Sequence, residues 1–118
     1  LLVEVQLVNY EKVVNSEKDV RNLLKFCADY GKIQDNPRFR TRRPGDMFRP
    51  AGRGVTKPLK KLFSEQRVPS AARDALPVLA SGGTVLWAAG FGFAEGLAPD
   101  EFTKTAVTVT ARQMEEVT

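Results

Sequence analysis

The sequence has no histidine and a single cysteine, Cys27, in 118 residues. Without His, no Ser-His-Asp or Cys-His nucleophile, no His-containing zinc site and no His general base can be built. With one Cys, neither an internal disulfide nor a multi-cysteine metal site is available, which fits a reducing, cytoplasmic compartment. These absences point to a binding module more than to a self-contained enzyme. Long charge-free runs are also scarce. The exception is Leu76–Ala94, 19 residues and close to membrane-spanning length. It holds Pro77, Gly90 and Gly92, and the turn chemistry of Ser81-Gly82-Gly83-Thr84 lies near its middle. That pattern predicts two buried strands joined by a tight turn, not a spanning helix.

What is present is arginine. The net charge of +4 hides a segregation. From Arg38 to Arg73 there are eleven basic residues against only Asp46 and Glu65, so this stretch carries +9 and the rest of the chain −5. Eight of the eleven are Arg, whose planar fork suits bidentate phosphate contact. An ordinary solvated face would not concentrate one sign of charge in this way, and the pattern is that of a polyanion-binding surface.

Length and a hydrophobic content of 42% predict one folded domain over residues 1–118. Residues 1–22 would form a leading strand and linker, and 23–111 the core domain. The chain begins at Leu1 without Met or a visible signal peptide, and is expected to be a piece of a longer protein. Leu1–Val8 alternates with period two, placing Val3, Val5 and Leu7 on one face of a half-buried strand. Ser16 and Asp19 resemble a helix cap ahead of Val20, Leu23, Leu24 and Cys27, with Gly31 as the stop, while a strand over Leu23–Ala28 competes with that helix. Arg38–Arg42 reads as extended with Phe39 inward, and Pro44-Gly45-Asp46 as a turn. Pro50–Gly54 reads as a loop. Thr56 is placed to cap a short helix with Pro58 in its first turn and Leu59, Leu62 and Phe63 on one face. Ser70 would cap a second short helix, Ala71–Ala75. Val78–Ala80 and Val85–Ala89 read as paired buried strands, Phe91–Phe93 as extended and Thr103–Ala111 as a last strand.

Gly52-Arg53-Gly54-Val55-Thr56-Lys57, leading into a helix start, is a candidate phosphate site, with Lys57, Lys60 and Lys61 adding point charges. The order Thr56-Lys57 is not that of a nucleotide P-loop. Ser81-Gly82-Gly83 is similar to the start of the pyrophosphate loop of ATP pyrophosphatases, but Val85 and Leu86 stand where Asp and Ser are required, so a hairpin turn is expected. Asp46 reads as a structural carboxylate holding Arg42, Arg43 or backbone N–H groups, since acid–base work needs a partner that the neighbourhood lacks. Cys27 and Trp87 read as core.

The order Arg40-Thr41-Arg42-Arg43-Pro44-Gly45-Asp46-Met47-Phe48-Arg49-Pro50-Ala51-Gly52, then Lys57-Pro58-Leu59-Lys60-Lys61-Leu62-Phe63, Val68-Pro69, Arg73-Asp74, Pro77-Val78-Leu79 and Val85-Leu86-Trp87-Ala88-Ala89-Gly90 resembles the C-terminal domain of bacterial tRNA(Ile)-lysidine synthetase. The likeness runs from about Phe26 to Ala111. The chain departs from the family pattern at Pro58, where another Lys is usual, at Gly92, where Arg is common, and partly at Ala94-Glu95. The resemblance implies a small α+β domain with a mixed β-sheet or sandwich and two or three short helices, and a strand at Leu23–Ala28. It implies a parent ligase that joins lysine to the wobble cytidine of an isoleucine tRNA, with ATP bound by an N-terminal catalytic domain and no cofactor in this part. This part would bind the acceptor region of the tRNA. The phosphate contacts expected are Arg42, Arg43, Arg49, Arg53, Lys57, Lys60 and Lys61, with Gly45, Asp46, Gly52 and Gly54 shaping the turns. A homodimer stays open and no membrane partner is expected. The alternative is a structural or protein-interaction domain whose basic face docks on an acidic partner or a neighbouring domain.

Overall fold

The structure is a computed structural model and describes residues 2–12, 26–33 and 36–112. The capping pair Ser16 and Asp19, and the residues Val20, Leu23 and Leu24, lie outside the described residues. Strand β1, Leu2–Asn9, follows the period-two stretch and pairs antiparallel along its whole length with the last strand, β9, Thr105–Arg112. β9 also pairs with β2, Cys27–Asp29, giving a three-stranded sheet in the order β1-β9-β2. Of the strand that the resemblance implied over Leu23–Ala28, Cys27 and Ala28 are strand and Phe26 is not, while 23–25 lie outside the described residues. Gly31 lies inside a short 3-10 turn, Tyr30–Lys32, rather than ending a helix.

A four-stranded sheet follows the order β3-β6-β7-β8, from β3 (Arg38–Thr41), β6 (Pro77–Ser81), β7 (Thr84–Ala88) and β8 (Gly92–Phe93). The charge-free run becomes the β6–β7 hairpin, and Gly82 takes φ +58° in its turn, a conformation that suits glycine. Among the described residues no helix is long and apolar enough to cross a membrane. A third, two-stranded ladder joins β4 (Met47–Phe48) to β5 (Lys57–Pro58). Every described strand pair is antiparallel, so the α+β class holds while the expected mixed sheet resolves into three antiparallel ones.

Between β5 and β6 lie two short helices, α1 (Leu59–Glu65) and α2 (Ser70–Arg73). Their starts differ from expectation. Pro58 and Pro69 occupy the N-cap positions and neither helix has a side-chain cap bond, so Thr56 and Ser70 do not cap. The reason is register: Lys57 and Pro58 are already committed to the β4 ladder, which leaves Thr56 two residues short of the helix. The apolar stripe of α1 behaves as its spacing predicts. Leu59, Leu62 and Phe63 are fully buried, each burial stabilising by about 1.5–3 kcal/mol.

The four-stranded sheet has a cluster on each face. Val78, Val85 and Ala88 pack with Phe48, Phe91 and α1 on one side. Leu79, Trp87 and Phe93 pack with Ala28, Val107 and Val109 of the three-stranded sheet on the other. Helix, sheet and sheet are thus layered around β6 and β7, the two strands the hydropathy marked as buried. Phe39 departs from expectation: it stays 41% exposed and meets Trp87 edge-on, 6.1 Å between ring centres. β3 is an edge strand, so among the described residues no further strand covers the outer flank of Phe39. Val5 and Leu7 are also exposed on β1, the outer strand of the three-stranded sheet, while Val3 of the same strand packs against the second cluster.

Candidate nucleic-acid interface

The basic stretch threads β3, the 44–46 turn, β4, the 50–54 loop, β5, α1 and α2. In the β3–β6 ladder Arg40 faces Val78 and Arg38 faces Ala80. Directly paired residues share a face, so both arginines lie on the side of the sheet that α1 covers. Arg40 is fixed there. Its Nη1 and Nη2 donate to the Asp46 carboxylate at 2.7 and 3.0 Å, and the Arg43 N–H donates to the same group at 2.7 Å. The Arg40 guanidinium, aided by the Arg43 N–H, holds the Asp46 carboxyl below its ordinary range although burial pushes the other way. The same bond raises Arg40. The Asp46 carboxylate thus pairs with the Arg40 side chain and the Arg43 backbone N–H, not with the side chains of Arg42 or Arg43. Its backbone extends the arrangement, because the Leu59 N–H at the start of α1 donates to the Asp46 carbonyl at 2.9 Å.

That bond revises the phosphate-loop geometry. The glycine loop does not run directly into a helix start: β5 intervenes, Lys57 sits on β5, and the first N–H of α1 is already satisfied within the fold. The glycines do shape turns. Gly45 has φ +86° and Gly54 +68°. Gly52, at +81°, closes a turn in which the Arg53 N–H donates to the Pro50 carbonyl at 3.3 Å.

The seven expected contacts divide into two groups. Four are paired with carboxylates. Arg42 bonds Asp74 at 2.8 Å, and its buried Nε has no hydrogen-bond partner among the described residues. Arg49 bonds Glu95, and Lys57 bonds Glu65 at 2.7 Å. Arg53 lies 3.7 Å from the second Glu65 oxygen. The other three, Arg43, Lys60 and Lys61, form no ion pair among the described residues. Lys60 and Lys61 are exposed and line a shallow groove of about 330 Å³ with Pro58, Ser64 and Arg73, and no carboxylate lines it. Arg73 is held in place by donating Nε to the Val68 carbonyl at 2.8 Å. Arg43 lines a second depression with Asn36, Arg38, Arg40, Ala80 and Gly82.

Arg38 and Arg73, outside the seven expected contacts, thus join the basic surface. The two-residue alternation of 38, 40 and 42 along an edge strand was a usable signal for Arg38. For Arg73 there was none, since its place depends on how α2 folds back on α1. Away from this surface Cys27 is buried, and burial pushes its thiol up to about 11. Among the described residues no three His, Cys, Asp or Glu side chains come together as a metal-holding group.

A helix–sheet–sheet sandwich with an arginine- and lysine-rich outer surface defines a small α+β domain. Residues 38–109 match the family described as the TilS substrate C-terminal domain, and the chain belongs to that family. It is similar to proteins named tRNA(Ile)-lysidine synthase. Identity is 43% over 77 residues with that of Symbiobacterium thermophilum, covering 65% of this chain and 16% of that protein. With that of Clostridium tetani it is 31% over 107 residues, covering 91% and 22%. The chain therefore spans about a fifth of the length of these curated relatives. A crystal structure of a TilS C-terminal domain shares the fold, with a TM-score of 0.70 and 23% identity over 95% of this chain and 85% of that one.

Proposed function

We propose that this chain is the tRNA-recognition part of an ATP-dependent tRNA(Ile)-lysidine ligase, engaging the acceptor region of an isoleucine tRNA. Lysine ligation and ATP binding belong to the rest of the parent protein, with which this part works. The reading rests on family membership, on the name its relatives carry and, above all, on one observation. Lys60, Lys61 and Arg73 converge on a groove that no carboxylate lines. Cations so placed neutralise backbone phosphates and set register, while discrimination comes from the shape of the acceptor stem and a few edge contacts.

The test is binding of isoleucine tRNA and of an unrelated tRNA across a salt series. Changing Lys60 and Lys61 together to Glu removes two phosphate contacts. The slope of log affinity against log salt should become shallower by roughly 1.4–1.8. Equal binding of both tRNAs would favour docking on a generic acidic partner. An unchanged slope in the double variant would remove the groove from the interface.

A further inference from the structure

The cations on this surface are not equally available, and the difference follows from where three carboxylates sit. Glu65, at the end of α1, reaches two separate elements with its two oxygens. Oε1 accepts from Lys57 of β5 at 2.7 Å, and Oε2 lies 3.7 Å from Nη2 of Arg53 in the glycine loop. Lys61, one turn earlier on the helix, adds its charge to the same carboxylate. An anion with oxygens shared between a Lys and an Arg from a glycine loop is the contact pattern of a bound phosphate. Asp74 on Arg42 and Glu95 on Arg49 repeat the arrangement with one cation each.

We propose that Glu65 is a specificity-determining residue that stands in for an RNA phosphate. It occupies Arg53 and Lys57 so that an unrelated polyanion does not find these two cations open, as it does Lys60, Lys61 and Arg73. The inference rests on the RNA-binding reading above and refines it. A cation already paired within the fold releases fewer counterions on binding, so it contributes little to sequence-independent affinity. An RNA whose backbone follows the whole surface can displace the carboxylate; one that touches it only in part cannot. Glu65 thereby lowers generic binding more than cognate binding, which is discrimination by an internal competitor. The Lys57 hydrogen bond holds the Glu65 carboxyl below its ordinary range, so the competitor stays ionised at neutral pH.

The experiment compares wild type, Glu65→Gln and Glu101→Gln. Glu101 is exposed in the loop before β9 and supplies the same change in net charge outside the basic surface. Each is titrated with a short RNA duplex of unrelated sequence and with isoleucine tRNA between 50 and 200 mM salt, and each is eluted from heparin. Relative to E101Q, E65Q is expected to bind the unrelated duplex more tightly at low salt. Its loss of affinity across that range should be larger by roughly 12-fold if both cations are freed and roughly 3.5-fold if one is. The preference for isoleucine tRNA over the duplex should fall, and heparin elution should move to higher salt. If E65Q matches E101Q on duplex and heparin, the inference is overturned, whether or not tRNA binds. If E65Q exceeds E101Q on heparin while no variant binds tRNA, the carboxylate's role stands and the RNA reading fails.

Discussion

Replacing Asp46 with Asn tests the junction on which the basic surface is mounted. The carboxylate accepts two bonds from Arg40 and one from the Arg43 N–H, and the two side chains are only 8% and 14% exposed. Asn retains one acceptor and turns an N–H₂ toward the guanidinium, so at least one charge-assisted bond is lost and Arg40 is left short of its counter-charge. A hydrogen bond to a charged group contributes about 1.5–3 kcal/mol, and breaking a fully buried pair costs about 3–5. This pair is slightly wetter, so the expected loss is about 2–4 kcal/mol, read by urea unfolding. The pH dependence adds a second check. Arg40 depresses the Asp46 carboxyl below its ordinary value of 3.8, so in that acid range the unfolded chain binds more protons than the folded one. Stability from the pair is therefore complete above about pH 5 and is lost as the pH falls through 3.8 and below. The gap between wild type and variant should close over that window. Because the Asp46 carbonyl also receives the Leu59 N–H, D46N should weaken tRNA binding by shifting α1 and its lysines. A stability loss under about 1 kcal/mol, or a gap that does not vary with pH, would refute the assignment of Asp46 as the clamp.

Two further outcomes follow from the core. Leu62→Ala empties a fully buried position beneath α1 and should cost about 2–5 kcal/mol in the same unfolding assay, with a proportionate fall in thermal midpoint. Cys27 is buried and its thiol is pushed up to about 11, so a thiol reagent at neutral pH should label it slowly in the folded chain and rapidly in denaturant; equal rates would place it at the surface.

What is legible in the chain is what acts over a short range. Period-two alternation marks β1 and β9, and the apolar spacing of Leu59, Leu62 and Phe63 marks the buried face of α1, because each pattern is written within one element. The turn at Gly82 and the hairpin around it are equally local. The caps were misplaced because Thr56 and Ser70 are good capping residues in isolation, while the β4–β5 ladder and Pro69 fix where each helix begins. Alternation places Phe39 inward because it does not reveal that β3 ends up at an edge.

For the site the division is sharper. The sequence alone determined that a surface of concentrated positive charge exists, that its glycines form turns and that no histidine chemistry accompanies it, since charge, backbone freedom and absent side chains are properties of composition and order. Which cations remain open was decided by the tertiary structure. Glu65, Asp74 and Glu95 reach their partners across 8, 32 and 46 positions of chain. The groove of Lys60, Lys61 and Arg73 exists only because α2 returns against α1. Coulomb energy depends on distance in space, and only the fold sets those distances.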